Sequence, residues 1–213
     1  MARIASPEAF SDVLIKDFNW RLKELSDLKV VADCADTVKL RGRRRALIVM
    51  CYAHWEGHAK YCAEKFIEYI TIRRLRFSEV SSHFYLIRFI NEIGNGSALG
   101  LAARMALVEK ILNSSDERLS KIPEGIINTR SNLNSEVLDE ICVVCGIPSN
   151  IFSDDRDFLD RILLKRRNEV AHGEAVFIDS IEPDDLVNRT TALMRLFRDS
   201  LDNAIATTSY RRS

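Results

Sequence analysis

The chain has 213 residues and a mass of 24.3 kDa, with 31 Lys and Arg against 31 Asp and Glu, the size of one or two ordinary domains. A hydrophobic fraction of 46% beside a charged fraction of 29% excludes a disordered tail, a collagen or a low-complexity scaffold. Zero formal charge, taken alone, argues against a nucleic-acid partner, because phosphate binding leaves a basic footprint.

The N-terminal residues MARIASPEAF lack a basic segment followed by an apolar one, and the longest strongly apolar run, residues 46–53, is far short of the ~20 residues a bilayer needs. Five cysteines, an odd number in mostly helix-like apolar segments, fit reduced thiols better than a disulfide framework. These features predict a cytoplasmic protein with no membrane contact.

Ser6-Pro7-Glu8 supplies a capping hydroxyl, a first-turn proline and an acid in the order a helix start prefers, so a first helix is expected over 7 to about 28. A polar stretch at 33–41 precedes a long proline-free segment, 43 to about 74, whose centre ALIVMCYAHW is apolar on nearly every side, as in a buried central helix. Two shorter helices are expected at 79–89 and 98–112, parted by a Gly94-Asn95-Gly96 turn. The polar stretch 113–132 reads as loop. Residues 134–145 read as a helix ending at Gly146 and Pro148.

Residues 155–172 follow an i, i+4 apolar spacing and end at Gly173, the residue type that best closes a helix left-handed. A short extended piece, 175–178, leads to a last amphipathic helix from Pro183 to about Thr207. The expectation is one all-α domain over 1–213, an up-and-down helical bundle with additional helices in a less regular or inserted middle segment, 77–133.

The feature with most chemistry is Arg167-Asn168-Glu169-Val170-Ala171-His172-Gly173. Asn168 and His172 are four apart and share one helical face, with Arg167 about 140° around from His172. His172 falls in the last turn, where the helix dipole favours a protonated imidazole, the side chain suited to proton exchange near neutral pH. Arg167 offers a planar, permanent cation for a phosphate, and Asn168 can orient the imidazole or the ligand. Together they make a plausible metal-free phosphodiester-cleaving set: His172 as general acid or base, Arg167 opposite the charge of the transition state. The plainer alternative is a helix terminus with a dipole-compensating histidine and a solvated basic turn.

An Arg-Asn-x-x-x-His element closing a helix of an all-α chain resembles the signature of the HEPN superfamily. Ala171-His172-Gly173-Glu174, with Ala53-His54-Trp55-Glu56-Gly57 on the central helix, resembles the MAE-type prokaryotic HEPN-like nucleases. The resemblance implies a metal-independent endoribonuclease without cofactor that attacks a phosphodiester through the neighbouring 2′-hydroxyl. It also implies a homodimer with a composite cleft, often the toxin of a toxin–antitoxin or phage-defence pair held by an antitoxin protein. A non-catalytic module binding RNA, a nucleotide or a protein through the same cleft is the alternative. On this reading Arg167, His172, Asn168 and Glu56 are catalytic, and Lys165, Arg166, Trp55 and Lys60 bind RNA.

Glu56 in a nearly all-apolar helix needs a partner, and Arg167 or Arg166 is the expected one, whether to position that arginine in the cleft or as a structural ion pair. His54 and His58 are spaced for zinc, but Glu56 lies about 160° from both on a helical wheel and the helix lacks a His-Glu-x-x-His element, so no metal site is expected. Cys142-Val143-Val144-Cys145 is a lone C-x-x-C and reads as helix core. The charge balance is uneven along the chain. Residues 39–76 hold ten Lys and Arg against three Asp and Glu, and residues 1–110 sum to +5 against −5 for 111–213. Net neutrality therefore permits a confined basic cleft and does not exclude a nucleic-acid partner.

Overall fold

A computed structural model of the chain describes residues 4–33, 37–95, 100–120, 122–174 and 182–212. It is all-α: α1 (Pro7–Asp33), α2 (Thr37–Ile72), α3 (His83–Asn95), α4 (Leu101–Asn113), α5 (Ser135–Cys145), α6 (Arg166–Ala171) and α7 (Pro183–Ala206), with short 3₁₀ turns between them. Among the described residues there is no strand, only two isolated antiparallel bridges, Arg76 with Arg118 and Val80 with Arg211. No helix among them is long and apolar enough to cross a membrane. The expected extended piece at 175–178 and the start of the expected helix at 98 lie outside the described residues.

The punctuation residues act as their chemistry dictates. Ser6 Oγ accepts the Ala9 amide at 3.2 Å, Asn134 Oδ1 accepts the Val137 amide at 2.8 Å, and Pro183 opens α7. Gly146 ends α5 in the left-handed conformation, φ +67°, and the His83 ring lies where its side chain would be: an added Cβ would sit 2.2 Å from His83 Cε1. Only glycine satisfies both demands. α2 begins earlier than the expected residue 43, because nothing from Thr37 onward interrupts the helix.

α2 is the hub. It packs against α1 and α7 along its length and against α5 and α6 on its remaining flank, so successive residues face different neighbours. Trp55 is fully enclosed and meets Phe197 of α7 edge-on, centroids 6.2 Å apart. His54 turns to α1, with Nε2 3.0 Å from Glu24 Oε2, and stacks edge-on with Trp20 at 5.3 Å. Gly57 leaves room for Arg21, whose Nη1 would lie 2.8 Å from a Cβ there. Each large apolar side chain enclosed here contributes about 1.5–3 kcal/mol.

The α1–α2 seam also holds a buried polar chain. Asp17 Oδ2 accepts from Arg21 Nε at 2.8 Å and lies 2.6 Å from His58 Nδ1, which fixes the proton on Nδ1 and leaves Nε2 facing the Cys62 thiol at 3.5 Å. Burial works to raise the Asp17 pKa, but the hydrogen bonds from His58 and Arg21 outweigh it and hold the carboxyl below its usual range. Burial keeps His58 below the usual imidazole range despite Asp17. Cys51, Cys62, Cys142 and Cys145 are free, buried thiols.

The segment before α6 departs from the expected α spacing. Residues 158–165 form a π-helical stretch, Phe158–Lys165, and its buried residues Phe158, Leu159 and Leu163 recur at four and five rather than three and four. An i, i+4 apolar pattern over so few residues also fits a wider turn. Such stretches concentrate at functional sites, and this one runs directly into Arg166.

Candidate active site at the end of α6

The helix ending in α6 docks on α5 and the loop before it through a ladder of polar contacts. Arg156 Nη2 reaches both carboxylate oxygens of Asp139 at 2.6 and 2.7 Å. Asp160 accepts from the Ser135 amide and hydroxyl, each at 2.7 Å. Arg167 Nη2 donates to the Ser131 carbonyl at 2.7 Å, and Asn168 Nδ2 lies 3.5 Å from Asn132 Oδ1. The loop receives these groups because Arg130 and Ser131 are both left-handed, φ +53° and +55°. Asn128 Oδ1 steadies that turn by accepting the Arg130 amide at 2.8 Å. Two consecutive non-glycine residues in this region cost about 1–2 kcal/mol each, and the ladder offsets that cost.

On its other side α6 meets α2. The Arg167 guanidinium lies 4.0 Å from the centre of the Tyr52 ring, a cation–π contact worth about 1–2 kcal/mol when partly desolvated. The Tyr52 hydroxyl accepts the buried Leu133 amide at 2.6 Å. Burial above all raises the Tyr52 pKa, with the Glu56 charge adding to it and Arg167 opposing. Two turns earlier on the same face of α2, Arg45 donates to the Glu174 carbonyl at 2.6 Å and approaches the Val170 carbonyl at 3.4 Å, tying the turn after α6 to α2.

His172 caps α6 with its amide on the Asn168 carbonyl at 2.9 Å, and Gly173 turns left-handed at φ +77°. The imidazole is exposed. Arg167 is half-buried, and its Nε is buried with no partner among the described residues. The element thus presents an anchored guanidinium and, within the next turn and a half, a solvent-facing imidazole.

The other expected residues fall into two groups. Lys165 is exposed and 3.9 Å from Glu169, and Arg166 is half-buried beside it. Glu56 is half-buried rather than enclosed, and Arg167 bonds Ser131 and Tyr52 in its place. The Glu56 charge is felt at Tyr52, one turn away, where it helps to raise the phenol's pKa. Trp55 is a correction: it lies in the core against Phe197, out of reach of any ligand, because a helix packed on all sides gives its largest residue to the interior. Lys60 is exposed and 3.9 Å from Glu64, two turns and about 12 Å along the axis from Tyr52. His54 and His58 are engaged with Glu24 and Asp17, and no cluster of three or more His, Cys, Asp or Glu among the described residues is arranged to hold a metal.

Sequence reasoning missed Arg45, Tyr52, Ser131 and Asn132. Arg45 and Tyr52 are seven apart, two turns on one face of α2, but in an apolar helix that spacing does not set a tyrosine apart from core. The two loop residues carried no signal beyond polarity.

A family model described as HEPN_MAE_28990-like HEPN matches residues 10–210. No curated protein and no solved structure matches the chain.

Proposed function

From the premise that the chain belongs to the MAE_28990-like HEPN family, we propose that it is a metal-independent endoribonuclease whose core pair is Arg167 and His172. The observation that supports this best is the arrangement at the end of α6. Tyr52 and Ser131 hold a guanidinium in a fixed orientation, and an exposed imidazole follows at the end of the same helix. In the reaction a ribose 2′-hydroxyl attacks the adjacent phosphorus, the 5′-oxygen leaves, and a 2′,3′-cyclic phosphate remains. His172 removes the hydroxyl proton or protonates the leaving oxygen. Arg167 lies opposite the charge that gathers on the non-bridging oxygens. Asn168 and Glu56 support the pair, and Lys165, Arg166 and Lys60 supply cations along the strand.

A two-fold dimer would bring two such elements to one cleft, so that one histidine serves as base and the other as acid. We assign the protein to a toxin or phage-defence role in the cytoplasm, held by an antitoxin protein.

A second reading, a non-catalytic module, draws on one observation: the Ser131 and Tyr52 contacts of Arg167 are also those of a purely structural arginine. Incubation of RNA with the protein in EDTA separates the two. Cleavage with cyclic-phosphate ends, reduced roughly 10²–10⁴-fold in His172→Ala and strongly in Arg167→Lys, supports the enzyme. Because His172 is exposed, its variant keeps the fold. Equal cleavage by all three proteins, or none by any, overturns the mechanism.

A further inference from the structure

At the far end of α2 from the Arg-His element, three chain segments are laced together by backbone hydrogen bonds. The Leu119 amide donates to the Leu75 carbonyl at 2.8 Å, the Phe77 amide to Glu117 at 3.0 Å, the Ser81 amide to Tyr210 at 2.9 Å and the Arg212 amide to Glu79 at 3.1 Å. The lacing gathers Arg73, Arg74, Arg76, Arg118, Arg211 and Arg212 against three acidic side chains, Glu79, Asp116 and Glu117.

Arg76 and Arg118 face each other in an antiparallel bridge, a pairing of like charges that destabilises by itself. Arg118 Nη1 then donates to the Arg74 carbonyl at 2.9 Å, bringing a third arginine in. The neutralisation is thin, since Arg76 reaches Asp116 only at 3.4 Å with both side chains largely in water. Arg74, itself left-handed at φ +50°, Arg211 and Arg212 are exposed.

Two clefts of about 390 Å³ flank this ridge, one bordered by Ser81, Ser82, Tyr85, Arg211 and Arg212, the other by Arg88, Arg118 and Ser120. The first is lined by hydroxyls and guanidiniums with the Tyr85 ring and Val80 beside them, few of the apolar anchors a protein partner requires. The second adds Phe77, Ile122, Pro123 and the Glu117 carboxylate, so the first is the one along which a strand of phosphates is placed.

We propose that this ridge is a second RNA site, which holds the phosphate backbone of a single strand that the Arg-His element cleaves. The proposal rests on the ribonuclease reading and deepens it. Repeated phosphates are the ligand that turns a costly crowd of like charges into an asset. From Tyr52 to its end at Ile72 α2 spans about 30 Å, which at ~3.4 Å per phosphate of a stacked strand is about nine nucleotides. The site therefore favours long RNA over short.

The test compares Arg74→Ser/Arg211→Ser/Arg212→Ser with the unmodified ridge, both in a His172→Ala background so that RNA stays intact. The probe is a labelled single strand of about 20 nucleotides, titrated between about 50 and 200 mM salt. The ridge variant is expected to bind at least about tenfold more weakly at low salt, with a log–log salt slope shallower by about 2, the loss of three single-strand phosphate contacts. In the His172→Ala background, unchanged affinity and slope overturn the proposal and leave an acidic protein segment as the ridge's counterpart. With His172 restored, cleavage of a strand of about five nucleotides is expected to be unchanged by the three substitutions, and loss of that cleavage also overturns it. The binding arm needs no cleavage, so a failure of the ribonuclease reading and a failure of the ridge are seen separately.

Discussion

The Tyr52 hydroxyl accepts the Leu133 amide at 2.6 Å while its ring carries Arg167, so one side chain fixes both the loop and the cation that the loop receives. Tyr52→Phe keeps the ring and strands a buried amide, a loss of about 1–3 kcal/mol that a lower midpoint of urea unfolding with unchanged slope would report. Arg167 stays stacked in that variant, and ribonuclease activity at temperatures well below unfolding is expected to fall less than in Arg167→Lys. Equal stability of Tyr52→Phe and the parent would mean that the Leu133 amide finds another acceptor. Arg167 and His172 stand out as candidates in the sequence through the spacing of their residue types. Tyr52 does not, because a tyrosine in an apolar helix looks like core until its partner is known.

At the scale of elements, the junction of α3 with α5 carries the clearest acid sensitivity. Burial pushes the His83 imidazole down to about 4, with its ring pressed against Gly146. A histidine held neutral in the fold but free to protonate when unfolded lends its stability fully above about pH 6.5, and that stability is lost as pH falls from there toward 4. Its full extent is roughly 3 kcal/mol. His54 and His58 also lie below the usual imidazole range through burial and lose stability in the same direction. His83→Phe is therefore expected to flatten part of the decline in thermal midpoint between pH 6.5 and 4. A parallel curve, merely displaced, would show that His83 does not titrate on unfolding.

Element ends were legible because Ser6, Asn134, Gly146, Gly173 and Pro183 each act through their own backbone chemistry. The π-helical turn at Phe158–Lys165 was not, since two or three apolar residues satisfy both periods. The loop before α5 hid its left-handed pair because neither Arg130 nor Ser131 is a residue type that signals positive φ.

Over the whole molecule, neutrality conceals separation. The end of α2 near residue 73 gathers arginines by backbone lacing among segments far apart in sequence, 73–82, 117–120 and 209–212. A count along the chain finds the excess at 39–76 but not its completion by Arg118, Arg211 and Arg212. The central place of α2 was readable from its all-round apolarity. That same enclosure is why Trp55 could not be assigned from its motif alone: a helix with neighbours on every side has interior and functional flanks in one sequence register.

The enclosure of the sulfur atoms gives the protein a chemical clock. Burial pushes the thiols of Cys51 and Cys142 up to about 12 and those of Cys62 and Cys145 well above the usual thiol range, and all four lie within packed helices. An alkylating reagent attacks only the exposed thiolate, so in a Cys34→Ser background labelling is expected to wait for opening of the fold. Read by mass spectrometry over time, four labels arriving together would report one cooperative unfolding event. Early, separate labelling of Cys142 and Cys145 would reveal that α5 opens on its own, loosening the loop on which Arg167 is anchored before the rest of the helices part.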